Sequence, residues 1–95
     1  PIAGMRLART GHHAFVVGYG PKQRSLAAHF DASAVTLNVC IGGRFTGGAL
    51  VFEPEQIAFE QRIGRAFVHR GAHVHRAKPL LSGTRTNLVV WAKRR

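Results

Sequence analysis

Acidic residues are nearly missing from this sequence. Its 95 residues include 14 Lys+Arg but only 4 Asp+Glu, for a formal net charge of +10. So few acids can be taken one at a time, and Asp31 is the only aspartate. Cysteine is almost as scarce. Cys40 stands alone, which excludes an intrachain disulfide framework and favours a reducing compartment, so a cytoplasmic location is expected. No apolar run approaches the ~18 to 20 residues of a helical membrane span, and no membrane partner is expected. No Gly-x-Gly-x-x-Gly or Walker pattern follows a candidate strand, so Gly47-Gly48 reads as a tight turn and not a phosphate loop. No Ser, Cys or Lys stands in an arrangement that suggests a nucleophile. The length leaves room for one small domain over 1–95, with a modest core. A hydrophobic content of 45% with 19% charged residues excludes a disordered basic tail.

What is present reads as short strands between glycines. No segment keeps an apolar 3.6-residue period over three turns. Strands are expected at 13–19, 25–31, 34–41, 49–53, 57–61, 65–69 and 86–91. In the third, Val35, Leu37, Val39 and Ile41 share one face and Thr36, Asn38 and Cys40 the other. Seven short strands with glycine turns indicate an all-β sandwich, jelly roll or barrel. Phe15, Phe45, Phe52, Phe59 and Phe67 are expected in the core.

Asp31 follows His29 by two residues. In an extended segment both side chains point the same way. One imidazole and one carboxylate are two of the three ligands of a facial triad, the set that holds non-haem Fe(II) with open positions. Alone, the pair is more often a surface histidine beside a turn carboxylate. The second histidine would come from His69, His73 or His75. Downstream spacing separates these three candidates: Pro79, Gly83 and Arg85 stand 4, 8 and 10 residues after His75. A guanidinium on the neighbouring strand could fork onto a carboxylate.

Six elements now stand in one order: Tyr19, His29-Phe30-Asp31, the strand 36–41, Gly47-Gly48 to Phe52, His75 to Arg85 through Pro79 and Gly83, and a strand ending in Trp91. This pattern resembles the catalytic core of the Fe(II)/2-oxoglutarate-dependent dioxygenases, in their prolyl 4-hydroxylase-like branch. It is most similar to the group called 2-oxoglutarate and iron-dependent oxygenase domain-containing proteins. The resemblance spans residues 15–92. It implies a double-stranded β-helix of jelly-roll or cupin-like form. It implies Fe(II) on His29, Asp31 and His75, and the C5 carboxylate of 2-oxoglutarate on Arg85. Tyr19 is implied in the cosubstrate pocket, with Thr36, Asn38 and Cys40 lining it if their face is inward. Trp91 is read as wall or core. The cofactors implied are Fe(II), 2-oxoglutarate and O2, with room for ascorbate. The activity implied is hydroxylation with release of succinate and CO2, on a protein or small-molecule substrate, a peptidyl residue such as proline being favoured.

The usual N-terminal helical support of that family is mostly lacking before Tyr19, so a truncated or minimal core is expected. The chain opens at Pro1, and Lys93 to Arg95 read as a solvated tail or the start of a removed segment. Three other readings remain. Arg85-Thr86-Asn87-Leu88 fits the last strand of oxidative nucleic-acid demethylases, but Trp91 stands where those carry Arg. A basic jelly roll could bind nucleic acid or an acidic partner without catalysis. Two histidines and a carboxylate could also hold hydrolytic Zn(II). Neither of the last two accounts for Arg85.

Overall fold

The computed structural model describes residues 4–8 and 12–93. It is all-β: β1 (Gly4–Ala8), β2 (His12–Tyr19), β3 (Leu26–His29), β4 (Val35–Gly47), β5 (Leu50–Phe52), β6 (Ile57–Phe59), β7 (Ala66–Arg70), β8 (His75–Ala77) and β9 (Leu80–Ala92). They form a five-stranded sheet ordered β1-β2-β9-β4-β7 and a four-stranded sheet ordered β3-β8-β5-β6. Every pairing is antiparallel. This is the expected jelly roll.

The differences from expectation have local causes. Gly42-Gly43 does not end β4, and Gly83 does not delay β9. Irregular register lets each strand run 13 residues. Such bulges bend a long strand and keep it in the ladder. The three-residue β8 carries one apolar residue and is too short to be read from pattern, and β1 precedes the first expected strand. Gln61 lies beyond β6, in the loop to β7, where Cys40 N donates to Arg65 O and Gly64 N to Cys40 O. Lys93 is exposed, whereas Arg94 and Arg95 lie outside the described residues.

β4 alternates as read, and its polar face is the inner one. Thr36 and Cys40 are buried, while Val35 and Ile41 are 42% and 47% exposed. The reason appears across the sheet. Inner residues pair as Tyr19 with Arg85, Val17 with Asn87, Phe15 with Val89 and His13 with Trp91, and Thr36 and Asn38 lie opposite Trp91 and Val89. Polar groups enter the space between the sheets because that space is a cavity, not a solid core. The outer face carries the apolar rows Val16-Leu88-Val39-Ala66 and Ala14-Val90-Leu37-Val68.

Apolar packing closes one side of the cavity. Phe15, Val17, Tyr19, Ala77, Leu80 and Val89 form a buried cluster, with Leu26, Phe45 and Trp91 against it. Each large apolar side chain of this kind contributes roughly 1.5 to 3 kcal/mol on burial. Phe15 meets the Trp91 ring edge-on at 5.3 Å. On the other side Phe52 packs on Phe59, and Phe59 on Phe67. Thus all five expected phenylalanines pack inward, though Phe45, Phe59 and Phe67 are only half-buried.

Candidate metal centre

The end of β3, the loop after it and the start of β8 bring three side chains together. His29 and His75 are register partners across β3 and β8. Asp31 is two residues past the first. His29, Asp31 and His75 offer one ligand atom each, all within 4.8 Å of one another. Asp31 and His75 are buried and His29 is half-buried.

The donor chemistry fits a cation. His29 Nδ1 bonds Ala27 O at 2.8 Å, and His75 Nδ1 bonds His73 O at 2.8 Å. A carbonyl only accepts, so each Nδ1 carries the hydrogen, and in the neutral ring Nε2 is left as a lone pair. Those two lone pairs face Asp31 Oδ1 at 3.4 and 3.5 Å. Three acceptors converge with no donor between them, and a divalent ion satisfies all three. When the imidazoles are protonated instead, their Nε2 hydrogens take the place of the cation: burial raises the Asp31 carboxyl, but hydrogen bonds from His29, His75 and Thr36 outweigh it and hold it well below the usual carboxylate range. The hydrogen bond to Asp31 likewise raises the His29 imidazole, against the opposing effect of burial.

A second layer orients the ligands. Thr36 Oγ1 donates to Asp31 Oδ2 at 2.8 Å and meets Ser33 Oγ at 2.8 Å. Oδ1 is thereby left facing the two imidazole Nε2 atoms. Partners of this kind typically carry about 10- to 100-fold in metal affinity. Thr36→Val, which keeps the shape and removes the hydroxyl, is expected to weaken Fe(II) or Mn(II) binding by about that factor, readable by calorimetry. Asp31 N also donates to Gly71 O at 2.7 Å. A Cβ on Gly71 would collide with Ser33 O and lie 2.8 Å from Asp31 O. Gly71 is therefore a close-approach residue. Gly71→Ala should push the 31–33 loop away and cost roughly 1 to 3 kcal/mol, seen as a lowered Tm together with weaker metal binding.

The three histidines of the distal segment part company. His75 is in the cluster. His73 turns away, with Nε2 3.4 Å from Glu55 Oε1. His69, expected as a strand-end residue, is buried on β7 and stacks at 4.5 Å on the His75 ring. Burial holds its imidazole below the ordinary value. It packs the ligand in place. Single-sequence spacing gives no sign of that, because His69 and His75 lie in different sheets.

A cavity of about 270 Å³ adjoins the three ligands. Tyr19, Thr36, Asn38, Arg85 and Trp91 all line it, and Cys40 does not. Cys40, expected in the pocket wall, is wholly buried, with Sγ 4.0 Å from Gly42 O. Thr36 lines the cavity, but its hydroxyl is engaged by Asp31. Arg85 is on the strand after His75, but in the facing sheet and not beside it. It is 1% exposed, and no carboxylate pairs with it among the described residues. Its Nε donates to Asn87 Oδ1 at 2.9 Å and Nη1 to Gly48 O at 2.6 Å. The guanidinium lies over the Tyr19 ring at 4.4 Å. Burial lowers the Arg85 guanidinium and raises the Tyr19 hydroxyl. Gly48 is what lets the arginine in: a Cβ there would collide with Nη1, and its φ is +77°. A buried cation with free donors and no internal anion is a receptor for an anion.

The jelly roll thus gathers two histidines, one carboxylate and a buried arginine around one cavity. No protein-family profile matches the chain. It is 44% identical over 92 residues to human 2-oxoglutarate and iron-dependent oxygenase domain-containing protein 2, covering 86% of this chain and 26% of that protein. It is 41% identical over 78 residues to human procollagen-lysine,2-oxoglutarate 5-dioxygenase 2, covering 75% of this chain and 11% of that protein. Among solved structures, a 2OG-Fe(II) oxygenase family oxidoreductase from Burkholderia pseudomallei superposes with a TM-score of 0.73 at 22% identity, over 93% of this chain and 50% of that one. A cupin-2 domain protein from Shewanella frigidimarina gives 0.63 at 11% identity, over 96% of this chain and 80% of that one. These two establish the fold. The chain belongs to the Fe(II)/2-oxoglutarate-dependent oxygenase family, and it spans about a quarter of the length of the oxygenase domain-containing relatives it matches. Membership implies Fe(II), 2-oxoglutarate and O2 as the cofactor set.

Proposed function

We propose that this chain is the catalytic core of an oxygenase that couples oxidative decarboxylation of 2-oxoglutarate to hydroxylation of a peptidyl side chain. One observation carries the reading: Arg85 is buried, lacks a carboxylate partner among the described residues, and shares a cavity with His29, Asp31 and His75. That arrangement matches a small dicarboxylate in chemistry. Arg85 forks onto the far carboxylate, and the three ligands hold the ion at the other end. Bound Fe(II) supplies oxygen activation, with succinate and CO2 as coproducts. The protein contributes position. Thr36 orients Asp31, His69 packs His75, and Tyr19 stacks beneath Arg85.

The peptidyl class rests on the resemblance to the prolyl 4-hydroxylase-like branch and on similarity to a procollagen-lysine dioxygenase. Between these residues proline is the favoured target. A cytoplasmic location is proposed from the cysteine usage alone. The test is conversion of 2-oxoglutarate to succinate by the iron-loaded protein, first alone and then with proline- and lysine-containing peptides. Peptide-stimulated succinate with a hydroxylated peptide product supports the proposal. Turnover of 2-oxoglutarate without any hydroxylated peptide contradicts the substrate class.

A further inference from the structure

Behind Arg85 stand three amides that neither the ligand set nor the arginine explains. A guanidinium donates and never accepts. Because Arg85 Nε donates to Asn87 Oδ1, the Asn87 nitrogen must point the other way. It donates to Asn38 Oδ1 at 2.7 Å and to Gln61 Oε1 at 3.2 Å. Both of those oxygens therefore accept, and both NH2 groups are turned away from Asn87. The direction of every amide in the chain Arg85, Asn87, Asn38 and Gln61 is thus set by the one group that cannot reverse.

The free ends have a place to act. Asn38 and Gln61 both line the cavity. Among the described residues no acceptor is bonded to either NH2 group. The polar side-chain atoms sealed away without a partner are His69 Nε2 and Trp91 Nε1, so the two amide nitrogens still border open space. Their positions are fixed. Asn38 lies on β4, paired on both sides with Phe67 and Val89. Gln61 is 7% exposed, on the loop pinned to Cys40. The wall around Arg85 thus presents the free guanidinium hydrogens and two amide NH2 groups, beside the Tyr19 ring.

We propose that Asn38 and Gln61 are binding residues for the anionic oxygens of 2-oxoglutarate, held in donor orientation by Asn87 as a positioning residue. This rests on the cosubstrate reading above. A ligand rich in acceptor oxygens satisfies such a wall, and a ligand presenting donors to it leaves groups unpaired.

The test is calorimetric binding of 2-oxoglutarate to the Mn(II)-loaded protein, which needs no turnover. Gln61→Leu removes the amide without adding charge. Gln61→Glu keeps an oxygen to accept from Asn87 and removes the NH2 group. Gln61→Leu is expected to weaken 2-oxoglutarate about tenfold, and Gln61→Glu, which also sets a like charge against the dianion, by more, with Mn(II) affinity unchanged for Gln61→Leu. Asn87→Asp accepts from all sides, so Asn38 and Gln61 turn their oxygens to the cavity, and the loss is larger. In turnover with iron, the Gln61 variants should raise KM for 2-oxoglutarate while kcat stays near wild type. If wild type binds and both Gln61 variants bind within about twofold of it, the amide assignment is overturned and the cosubstrate reading stands. If folded, Mn(II)-loaded wild type binds no 2-oxoglutarate, the cosubstrate reading falls and takes this one with it.

Discussion

At a pH where both imidazoles are neutral, Asp31→Asn is expected to abolish Fe(II) binding while leaving the metal-free protein as stable as wild type or more so. The carboxylate is the sole anionic group of the site, and its Oδ1 faces two imidazole nitrogens that carry no hydrogen in their neutral form. An amide in the same place donates a hydrogen where the carboxylate only accepts. It removes the repulsion that the metal otherwise relieves, and can still accept from Thr36 Oγ1. A residue kept for stability behaves in the opposite way, because breaking a buried ionic contact typically costs several kcal/mol. Thermal melts with and without Mn(II) separate the two. Wild type should gain Tm on adding metal, as any ligand specific to the folded state requires. Asp31→Asn should gain nothing. His75→Ala should also lose the metal response, with some loss of Tm, since its ring packs against His29, His69 and Phe52.

Arg85→Ala has the second large effect. Losing one partner of a buried, hydrogen-bonded charge pair costs about 2 to 5 kcal/mol, so 2-oxoglutarate affinity should fall about 30-fold or more. Metal affinity should change little, because Arg85 reaches the site only through the cavity. The same substitution frees Asn87 and Gly48 O from their donors and empties the space over Tyr19. Arg85→Lys is a finer probe. It keeps the charge and loses the fork that reaches Asn87 and Gly48 together, so affinity should be recovered only in part. Full recovery with lysine would mean that charge alone holds the ligand.

The grouping of His29, Asp31 and His75 is legible in the sequence through the ordered spacing that carries the family resemblance. His29 and Asp31 stand two apart on one extended segment, and His75 and Arg85 stand in register with Pro79 and Gly83. Spacing does not place Arg85 opposite the metal, since turning at Pro79 sends it to the other sheet. Among the strands, β2, β5 and β7 are close to expectation because apolar β-favouring residues fill them. β4 and β9 are longer than their sequences suggest. Glycine normally marks a break, and here it marks bulges within a continuous ladder. The face of β4 is readable as an alternation but not as inside or outside. That depends on the cavity, which draws Thr36 and Asn38 inward and leaves Val35 and Ile41 out.

The roles found only in three dimensions all span long intervals or separate elements. His69 packs His75 across the two sheets, Gly71 supports the loop of Asp31, and Gln61 reaches Asn87 from a separate loop. No single-chain pattern links such pairs. The charge reads differently as well. Among the described basic residues whose burial is known Arg85 alone of the lysines and arginines is buried, and the remainder are exposed or half-exposed. One cation in the interior explains the chemistry, and the sum of the others does not.

The most direct measurement is an anaerobic titration of the Fe(II)-loaded protein with 2-oxoglutarate, followed by visible absorption. If His29, Asp31 and His75 hold the iron as proposed, 2-oxoglutarate binding there would give a visible charge-transfer band. The band should saturate at one equivalent in wild type, be absent in Asp31→Asn, and require far more ligand in Arg85→Ala. Folded wild-type protein that binds Fe(II) yet shows no band with 2-oxoglutarate would contradict the assignment of this site.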